Sequence, residues 1–126
     1  MKRCSFRKKE RLKLRREVTL LFKFGKAAQN DDFVVIYRKN GLGYSRIAIS
    51  VKRKFGKANR RNKLRRWVRE CFRLNKSDIL KGYDFLIIAR KALAEKFVSS
   101  SYFSVCESLL NIFERIKNAE SNTFIN

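Results

Sequence analysis

Residues 44–72 read YSRIAISVKRKFGKANRRNKLRRWVRECF. Apolar residues alternate with other types over 44–51, which predicts a strand with one buried face. Over 58–74 the apolar residues instead recur every three or four positions, which predicts an amphipathic helix. The apolar side of this helix is formed by Leu64, Trp67, Val68 and Cys71. A strand followed by a strongly basic helix is therefore the centre of the predicted fold.

Four further elements are predicted outside this stretch. Apolar residues at helical spacing indicate a helix over 15–24, and Gly25 stands where a left-handed C-cap belongs. An aromatic and β-branched run predicts a strand over 33–38, and a nearly all-apolar run predicts a central strand over 83–89. Ser101 is the expected N-cap of a last helix. The order α-β-β-α-β-α predicts an α+β fold, a two-layer α/β sandwich with a small mixed sheet.

Length and charge define the broad class of the protein. With 126 residues, the chain is expected to form one domain over 1–126, with a basic N-terminal arm over 1–10 and a frayed tail over 118–126. Lysine and arginine number 32 against 11 acidic residues, a net charge of +21. Because such a charge repels itself, the expected partner is a polyanion.

The residue types that the chain lacks exclude several function classes. It has no histidine, which removes the commonest general base, the commonest zinc ligand and every Ser-His or Cys-His nucleophile pair. No Cys-x-x-Cys motif occurs, and we expect Cys71 and Cys106 to be reduced, buried apolar groups. No apolar run is long enough to span a membrane, and the first residues lack a signal-peptide pattern. The sequence therefore predicts a cytoplasmic protein that has no membrane partner, and it argues against a self-contained enzyme.

The charge is concentrated on the predicted basic helix and the turn before it. Residues 52–69 carry ten basic side chains and no acidic one. Arg61, Arg65 and Arg69 are four residues apart and form one ridge on the helix. Like charges at this spacing destabilise a helix, and arginine suits bidentate contacts to phosphate. The ridge therefore predicts nucleic-acid binding, and Asn62 beside it has an amide that can read a base edge.

The run from 50 to 72 resembles the signature of the bacterial ribonuclease P protein family. The family's arginine-asparagine-arginine motif is represented here by Arg61-Asn62-Lys63, in which lysine replaces the last arginine. The similarity extends over about 6–117. Weaker matching segments are Arg11-Leu12, Phe33-Val34, Gly82-Tyr83-Asp84 and Ile88-Ala89-Arg90. The resemblance implies a left-handed βαβ crossover through the basic helix.

The resemblance also implies a function and a set of partners. Members of the family are subunits of an RNA–protein endoribonuclease that removes the 5′ leader from precursor tRNA. The family's RNA subunit holds the catalytic Mg²⁺, so the resemblance implies that this chain has no catalytic residue, no metal site, no cofactor and no obligate protein partner. The implied partners are the catalytic RNA and the precursor tRNA. The residues expected to contact the catalytic RNA are Lys52, Arg53, Lys54, Arg60, Arg61, Asn62, Lys63, Arg65, Arg66 and Arg69.

A cleft between the first helix and the sheet is implied to hold the single-stranded leader. This chain departs from the family there, because Val18 and Ile36 stand where aromatic residues are usual. Tyr37 points by strand period to the opposite face. Phe22 is the remaining aromatic candidate, and an ordinary core position is its alternative interpretation. The residues expected at the leader are Lys13, Arg15, Arg16, Val18, Phe22 and Ile36.

Two other functions stay open from the residues alone. A basic RNA-binding module of another ribonucleoprotein, such as a ribosomal protein, fits the composition equally well. A self-sufficient nuclease would need clustered acidic residues to hold Mg²⁺. The candidate acids are instead scattered along the chain, and Asp84, before the apolar run of the third strand, is expected to be structural.

Overall fold

The computed structural model describes residues 6–13 and 15–123, with side chains through residue 121, and these residues contain four helices and four strands. The helices are α1 (Arg15–Phe24), α2 (Ala58–Leu74), α3 (Lys91–Lys96) and α4 (Tyr102–Thr123). The strands are β1 (Lys26–Gln29), β2 (Phe33–Lys39), β3 (Arg46–Ser50) and β4 (Tyr83–Ala89). Every helix and strand predicted from the sequence is confirmed, as is the α+β class.

The four strands form one mixed sheet in the order β1-β2-β4-β3. β2 pairs antiparallel with both β1 and β4, whereas β3 and β4 are parallel neighbours joined through α2. β4 therefore lies between two strands, and its first five residues are buried, as its apolar run predicts. The left-handed sense of the β3–α2–β4 crossover stays a prediction.

Helices pack on both faces of the sheet. On one face, α2 and α4 cover the main core, which includes Phe33, Val35 and Phe85. On the other face, α1 packs against β2 and β4, and Leu21 meets Leu86 there. Phe85 and Leu86 face opposite ways because successive side chains alternate along a strand. The predicted sandwich is confirmed, with α1 as a partial further layer on the second face.

The predicted order α-β-β-α-β-α lacks two short elements, β1 and α3, and is corrected to α-β-β-β-α-β-α-α. The sequence of β1, Lys-Ala-Ala-Gln, has little strand propensity, so the strand depends on its pairing with β2, in which Lys26 lies opposite Tyr37. Helix α3 has only six residues, too few to show helical periodicity, and buried Leu93 holds it against the core.

Gly25 follows α1, but it is not the left-handed C-cap that its position predicts. Among the described residues, the glycines with positive φ are Gly41, Gly56 and Gly82. A Cβ at Gly25 would lie 2.5 Å from the carbonyl oxygen of Leu21 and 2.7 Å from Cγ2 of Ile36. Glycine is therefore required for close packing, because the chain passes directly over β2 as it leaves α1.

Cys71 and Cys106 form a disulfide, so the prediction of two reduced thiols is wrong. Cys71 lies on the buried side of α2 and Cys106 on the buried side of α4, with their Cα atoms 5.5 Å apart. This separation is within the usual range for a cross-link. The two residues are 35 positions apart in the sequence, and only the packing of α2 against α4 brings them together.

The N-terminal segment is held against the fold from residue 6 onward, which corrects the predicted arm over 1–10 within the described part. Glu10 is buried and forms an ion pair with Lys76 at 2.7 Å. The backbone N–H of Leu12 donates a hydrogen bond to the carbonyl oxygen of Ile47 at 2.7 Å. Residues 1–5 of the predicted arm lie outside the described residues.

The frayed tail predicted over 118–126 is corrected as far as Thr123, because α4 continues to that residue, whereas residues 124–126 lie outside the described residues. Glu120 is buried and joins the end of this helix to the sheet. Tyr83 Oη donates a hydrogen bond to Glu120 Oε1 at 2.6 Å, and Lys26 Nζ donates to Glu120 Oε2 at 3.0 Å. The helix end is ordered by these polar contacts, which hydrophobic periodicity does not detect.

The Glu120 contacts make stability depend on pH. The hydrogen bond from Tyr83, helped by Lys26, lowers the pKa of Glu120 below its usual 4.5. A carboxylate with a lowered pKa stabilises the fold above the unfolded-state pKa, and this contribution is lost as the pH falls through the folded-state pKa. We expect Glu120→Gln to destabilise the protein at neutral pH, and the difference from wild type to shrink below pH 4.5.

Urea unfolding of the two proteins across this range measures the effect. The matched control is Glu114→Gln, which changes an exposed carboxylate on the same helix and should show no such convergence. A difference between wild type and Glu120→Gln that is constant over the whole range would contradict the prediction.

Candidate nucleic-acid interface

Helix α2 has a buried side and a cationic side. Leu64, Val68 and Cys71 are buried and hold the helix against the sheet. The predicted contact residues of α2 are exposed or half-buried, and they are Arg60, Arg61, Asn62, Lys63, Arg65, Arg66 and Arg69. Within the described part of the chain, none of these cations pairs with a carboxylate, and the ion pair on α2 joins Glu70 to Arg73 beyond them. The cationic side is therefore uncompensated.

The ridge on α2 has few partners within the protein. Arg65 Nη1 donates a hydrogen bond to Asn62 Oδ1 at 3.1 Å, so Asn62 is engaged with the ridge itself. Lys63 Nζ lies 5.1 Å from the centre of the Trp67 ring. Nε of Arg61 is buried and has no hydrogen-bond acceptor among the described residues. The other cations of this side are exposed or half-buried, so α2 suits an external ligand that is rich in acceptor oxygens.

Aromatic packing anchors the basic turn that precedes α2. The exposed cations of this turn are Lys52, Arg53 and Lys54. Phe55, at the end of the 3₁₀ turn Arg53–Phe55, is buried, and its ring centre lies 5.1 Å from that of Phe97. Trp67 of α2 packs on Phe97 at the same distance, 5.1 Å. Phe97 therefore joins the basic turn to α2, and their cations form one continuous surface.

The space between α1 and the sheet is the second predicted site. Val18 and Ile36 are half-buried against the small cluster that includes Leu21, on the α1 face of the sheet. Tyr37 packs on the opposite face, with its ring centre 6.2 Å from that of Tyr83. The contacts of Val18 and Ile36 on the α1 face of the sheet are therefore aliphatic, and Tyr37 is on the other face.

Phe22 is a surface residue with 61% of its area exposed, which rules out its interpretation as core. It follows Val18 by one helical turn and lies on the same side of α1. Arg15 and Arg16, in the first turn of α1, are also exposed. An exposed aromatic ring can stack on a base while nearby cations contact the phosphates of a single strand.

Lys13, which is predicted to contact the leader, lies beside α2. It lines a recess together with Arg65 and Arg69 of α2, at the edge of β3. The two predicted sets of contact residues therefore meet at Lys13, although they were assigned to different RNA partners. This contact between the N-terminal segment and α2 joins residues about fifty positions apart.

An ion-pair network that was not predicted from the sequence fastens α1 to the sheet. The guanidinium of Arg46 donates to Glu17 Oε2 at 2.7 Å and to Asp84 Oδ2 at 2.7 Å. Asp84, and then Glu17, raises the pKa of Arg46. Strand alternation puts Arg46 on the α1 face of β3, but its partners are 29 and 38 residues away in the sequence. The structural role predicted for Asp84 is confirmed.

Among the described residues, the acidic side chains do not form a metal site, and Asp32 illustrates why. Asp32 is buried and engaged, because its Oδ1 pairs with Lys96 at 2.8 Å and its Oδ2 accepts a hydrogen bond from Ser108 Oγ at 2.6 Å. Over residues 6–13 and 15–123, no group of three or more His, Cys, Asp or Glu residues could hold a metal ion. In the same residues no helix combines the length and the apolar character needed to cross a membrane.

Comparison with known proteins identifies the family. The family model described as Ribonuclease P matches residues 6–117. The ribonuclease P protein component of Thermotoga maritima is 58% identical over 113 residues, which cover 90% of this chain and 97% of the relative. The chain belongs to the bacterial ribonuclease P protein family. Its relative from Petrotoga mobilis, also a ribonuclease P protein component, is 39% identical over 90% of this chain and 96% of its own length.

Solved structures of ribonuclease P proteins share the fold. The T. maritima protein in complex with 1-(4-fluorophenyl)-2-thiourea has a TM-score of 0.81 and 59% identity, covering 83% of this chain and 98% of that one. The Staphylococcus aureus protein has a TM-score of 0.77 and 31% identity, covering 86% of this chain and 95% of that one. The mixed sheet and its helices are thus those of the ribonuclease P protein family.

Proposed function

We propose that this chain is the protein subunit of ribonuclease P and assists a catalytic RNA in removing the 5′ leader from precursor tRNA. It binds both the catalytic RNA and the leader, and so stabilises the complex of enzyme and substrate. The observation that carries the proposal is the uncompensated cationic side of α2, which continues into the basic turn at 52–54. In this proposal the chain works in the cytoplasm and requires no second protein.

The cationic side of α2 and the basic turn form the surface for the catalytic RNA. Guanidinium groups bind phosphate oxygens through paired hydrogen bonds, and each neutralised phosphate releases counterions. The absence of carboxylate partners for these cations among the described residues supports this assignment, because RNA phosphates supply the missing negative charge. The surface comprises Lys52, Arg53, Lys54, Arg60, Arg61, Asn62, Lys63, Arg65, Arg66 and Arg69.

The chemistry is assigned to Mg²⁺ held by the RNA subunit, and the protein supplies no catalytic acid, base or metal ligand. Mg²⁺ prefers several oxygen ligands around one point, and the described part of the chain has no group of three or more acidic, histidine or cysteine side chains that could hold a metal ion. Asp32 and Asp84 are buried in ion pairs with Lys96 and Arg46, so their carboxylates are already neutralised. The protein therefore contributes binding and positioning.

The test is cleavage of precursor tRNA by the cognate RNA subunit at low Mg²⁺ concentration, with and without this protein. We expect cleavage to depend on the protein, because its cations neutralise phosphates that Mg²⁺ would otherwise screen. Combining Arg61→Ala with Arg66→Ala should weaken affinity for the RNA subunit and flatten its dependence on log salt by roughly 0.7–0.9 per lost contact.

The control for charge alone is Lys117→Ala, which removes an exposed cation from α4 and should leave cleavage and affinity unchanged. Copurification with ribosomal RNA, together with no effect on precursor cleavage, would favour the alternative of a ribosomal module. Copurification with one dedicated structured RNA would support ribonuclease P.

The cleft beside α1 is the proposed leader site, and Phe22 is its stacking residue. Its residues are Lys13, Arg15, Arg16, Val18, Phe22 and Ile36. Stacking of a base on an aromatic side chain contributes ~1–3 kcal/mol of binding free energy. We expect the low end of this range, because Val18 and Ile36 are aliphatic and add no further stacking. We expect Phe22→Ala to weaken holoenzyme affinity for precursor tRNA about fivefold and to leave affinity for mature tRNA unchanged.

Phe24→Ala is the matched control for Phe22→Ala. Phe24 is a second exposed aromatic of α1, 66% exposed, and its ring lies under Arg38. This variant should leave the preference for precursor over mature tRNA unchanged, whereas Val18→Phe should increase it. Equal losses for both RNAs in Phe22→Ala, or equal effects of Phe22→Ala and Phe24→Ala, would contradict the assignment.

A further inference from the structure

A recess opens where the N-terminal segment crosses the outer edge of the sheet. β3 is an edge strand, and Arg11 forms an isolated parallel bridge with Ile47 there. The hydrogen bond from Leu12 N–H to the Ile47 carbonyl oxygen, at 2.7 Å, holds the segment in this place. The side chains on either side of Leu12 are thereby brought to α2.

The recess combines an apolar floor with a cationic rim. It has a volume of about 260 Å³, well above the ~30 Å³ of one water molecule, so it can admit a polyatomic ion. Its lining includes Ile47 and Ile49 of β3 and the cations Arg11, Lys13, Arg65 and Arg69. Two of the cations come from the N-terminal segment and two from α2.

The electrostatics of the recess are unfavourable without an anion. Arg69 is half-buried, and burial, followed by the charges of Arg11 and Arg65, lowers its pKa. Arg11 lies over the ring of Phe6, with its guanidinium carbon 5.4 Å from the ring centre. Within the described residues, no carboxylate pairs with any of the four cations. Clustered like charges that are partly removed from water call for a ligand of opposite charge.

We propose that this recess binds one phosphate of the RNA backbone, held jointly by Arg11 and Lys13 from the N-terminal segment and by Arg65 and Arg69 from α2. This inference rests on the proposed function and adds a defined phosphate site to it. A phosphate bound there bridges two elements far apart in the sequence, so RNA binding fastens the N-terminal segment to α2. The site lies where the surface for the catalytic RNA meets Lys13 of the leader set.

The experiment measures affinity of the intact protein for the cognate RNA subunit at several salt concentrations. The variants are Arg11→Gln, Arg69→Gln and their combination, since glutamine keeps part of the side-chain packing and removes the charge. Each single variant should weaken binding about tenfold, the effect of one charge-assisted hydrogen bond. The fold-loss of affinity in the combined variant should be clearly smaller than the product of the two single fold-losses, because both side chains bind the same phosphate. Lys117→Ala is the control for charge alone.

A second measurement identifies the source of the phosphate. The arginine Nε–H resonances of the protein are followed by NMR on titration with inorganic phosphate and, separately, with a short single-stranded RNA. We expect Arg65 and Arg69 to shift with RNA at concentrations where inorganic phosphate has no effect. Equal responses to the two probes at the same concentration would mean an adventitious ion only and would overturn the proposal.

The proposed function and the phosphate site can fail separately. The shared phosphate site would be refuted if the combined variant lost affinity by the full product of the two single fold-losses. It would also be refuted if Arg11→Gln and Arg69→Gln did not weaken RNA binding at all. If the Arg61→Ala and Arg66→Ala combination still weakened RNA binding in that case, the proposed function would stand. Retained folding of each variant is checked by circular dichroism.

Discussion

Reducing the Cys71–Cys106 disulfide is expected to lower the free energy of unfolding by about 4 kcal/mol. The cross-link joins residues 35 positions apart, and closing a loop of this length restricts the unfolded chain far more than the folded one. Guanidinium unfolding with and without dithiothreitol measures the effect. The midpoint should fall in reductant, whereas the combined variant Cys71→Ala with Cys106→Ala should unfold at the lower midpoint under both conditions.

Unfolding midpoints of the wild type that are identical in oxidant and reductant would show that the thiols are free in the folded protein. RNA affinity provides an internal check, because the bond lies on the buried side of α2, opposite its arginines. Conditions that reduce the bond and keep the protein folded should therefore leave RNA binding unchanged. Thiol trapping measures the redox state of Cys71 and Cys106 in cells.

Arg46→Ala is expected to destabilise the protein by about 3 kcal/mol, the low end for breaking a buried ion pair. The side chains of Arg46 and Asp84 are only 17% and 11% exposed, so the substitution leaves a carboxylate largely out of water. It also removes the contact that Glu17 makes from α1. Urea unfolding at neutral pH measures the loss. Arg66→Ala, which removes an exposed arginine of α2, should change stability by less than ~0.5 kcal/mol.

A second variant separates the charge effect from lost packing. Arg46→Met combined with Asp84→Asn removes the cation and its main carboxylate together, and it should be more stable than Arg46→Ala. Failure to recover any stability would mean that the ion pair is not the cause of the loss. Because α1 carries Val18 and Phe22, we also expect Arg46→Ala to reduce the preference of the holoenzyme for precursor over mature tRNA.

Most of the regular elements could be predicted because their signals are local. Leu64, Val68 and Cys71 repeat at helical spacing, and α2 begins and ends where that pattern predicts. The strand β4 was predicted as central from its apolar run alone. By contrast, β1 depends on β2, and Gly25 is required by the nearby Ile36 side chain, so neither is visible in its own segment.

The candidate site likewise has features that the sequence predicts and features that only the structure shows. The arginine ridge follows from a spacing of four residues and from the absence of acids over 52–69, both of which are properties of the chain itself. The exposure of Phe22 does not follow from its helical position, because an apolar residue at that spacing is equally consistent with a core. Whether Phe22 is exposed or buried depends on how α1 packs on the sheet.

The sequence by itself determined the element types, the basic surface of α2 and the family to which the chain belongs, since each depends on residues close together along the chain. The tertiary structure alone decided that Cys71 meets Cys106, that Arg46 joins Glu17 to Asp84, and that the N-terminal cations meet those of α2. These contacts join residues tens of positions apart. Their formation depends on how helices and strands pack in three dimensions. The periodicity of a sequence does not show which of its distant residues come close in space.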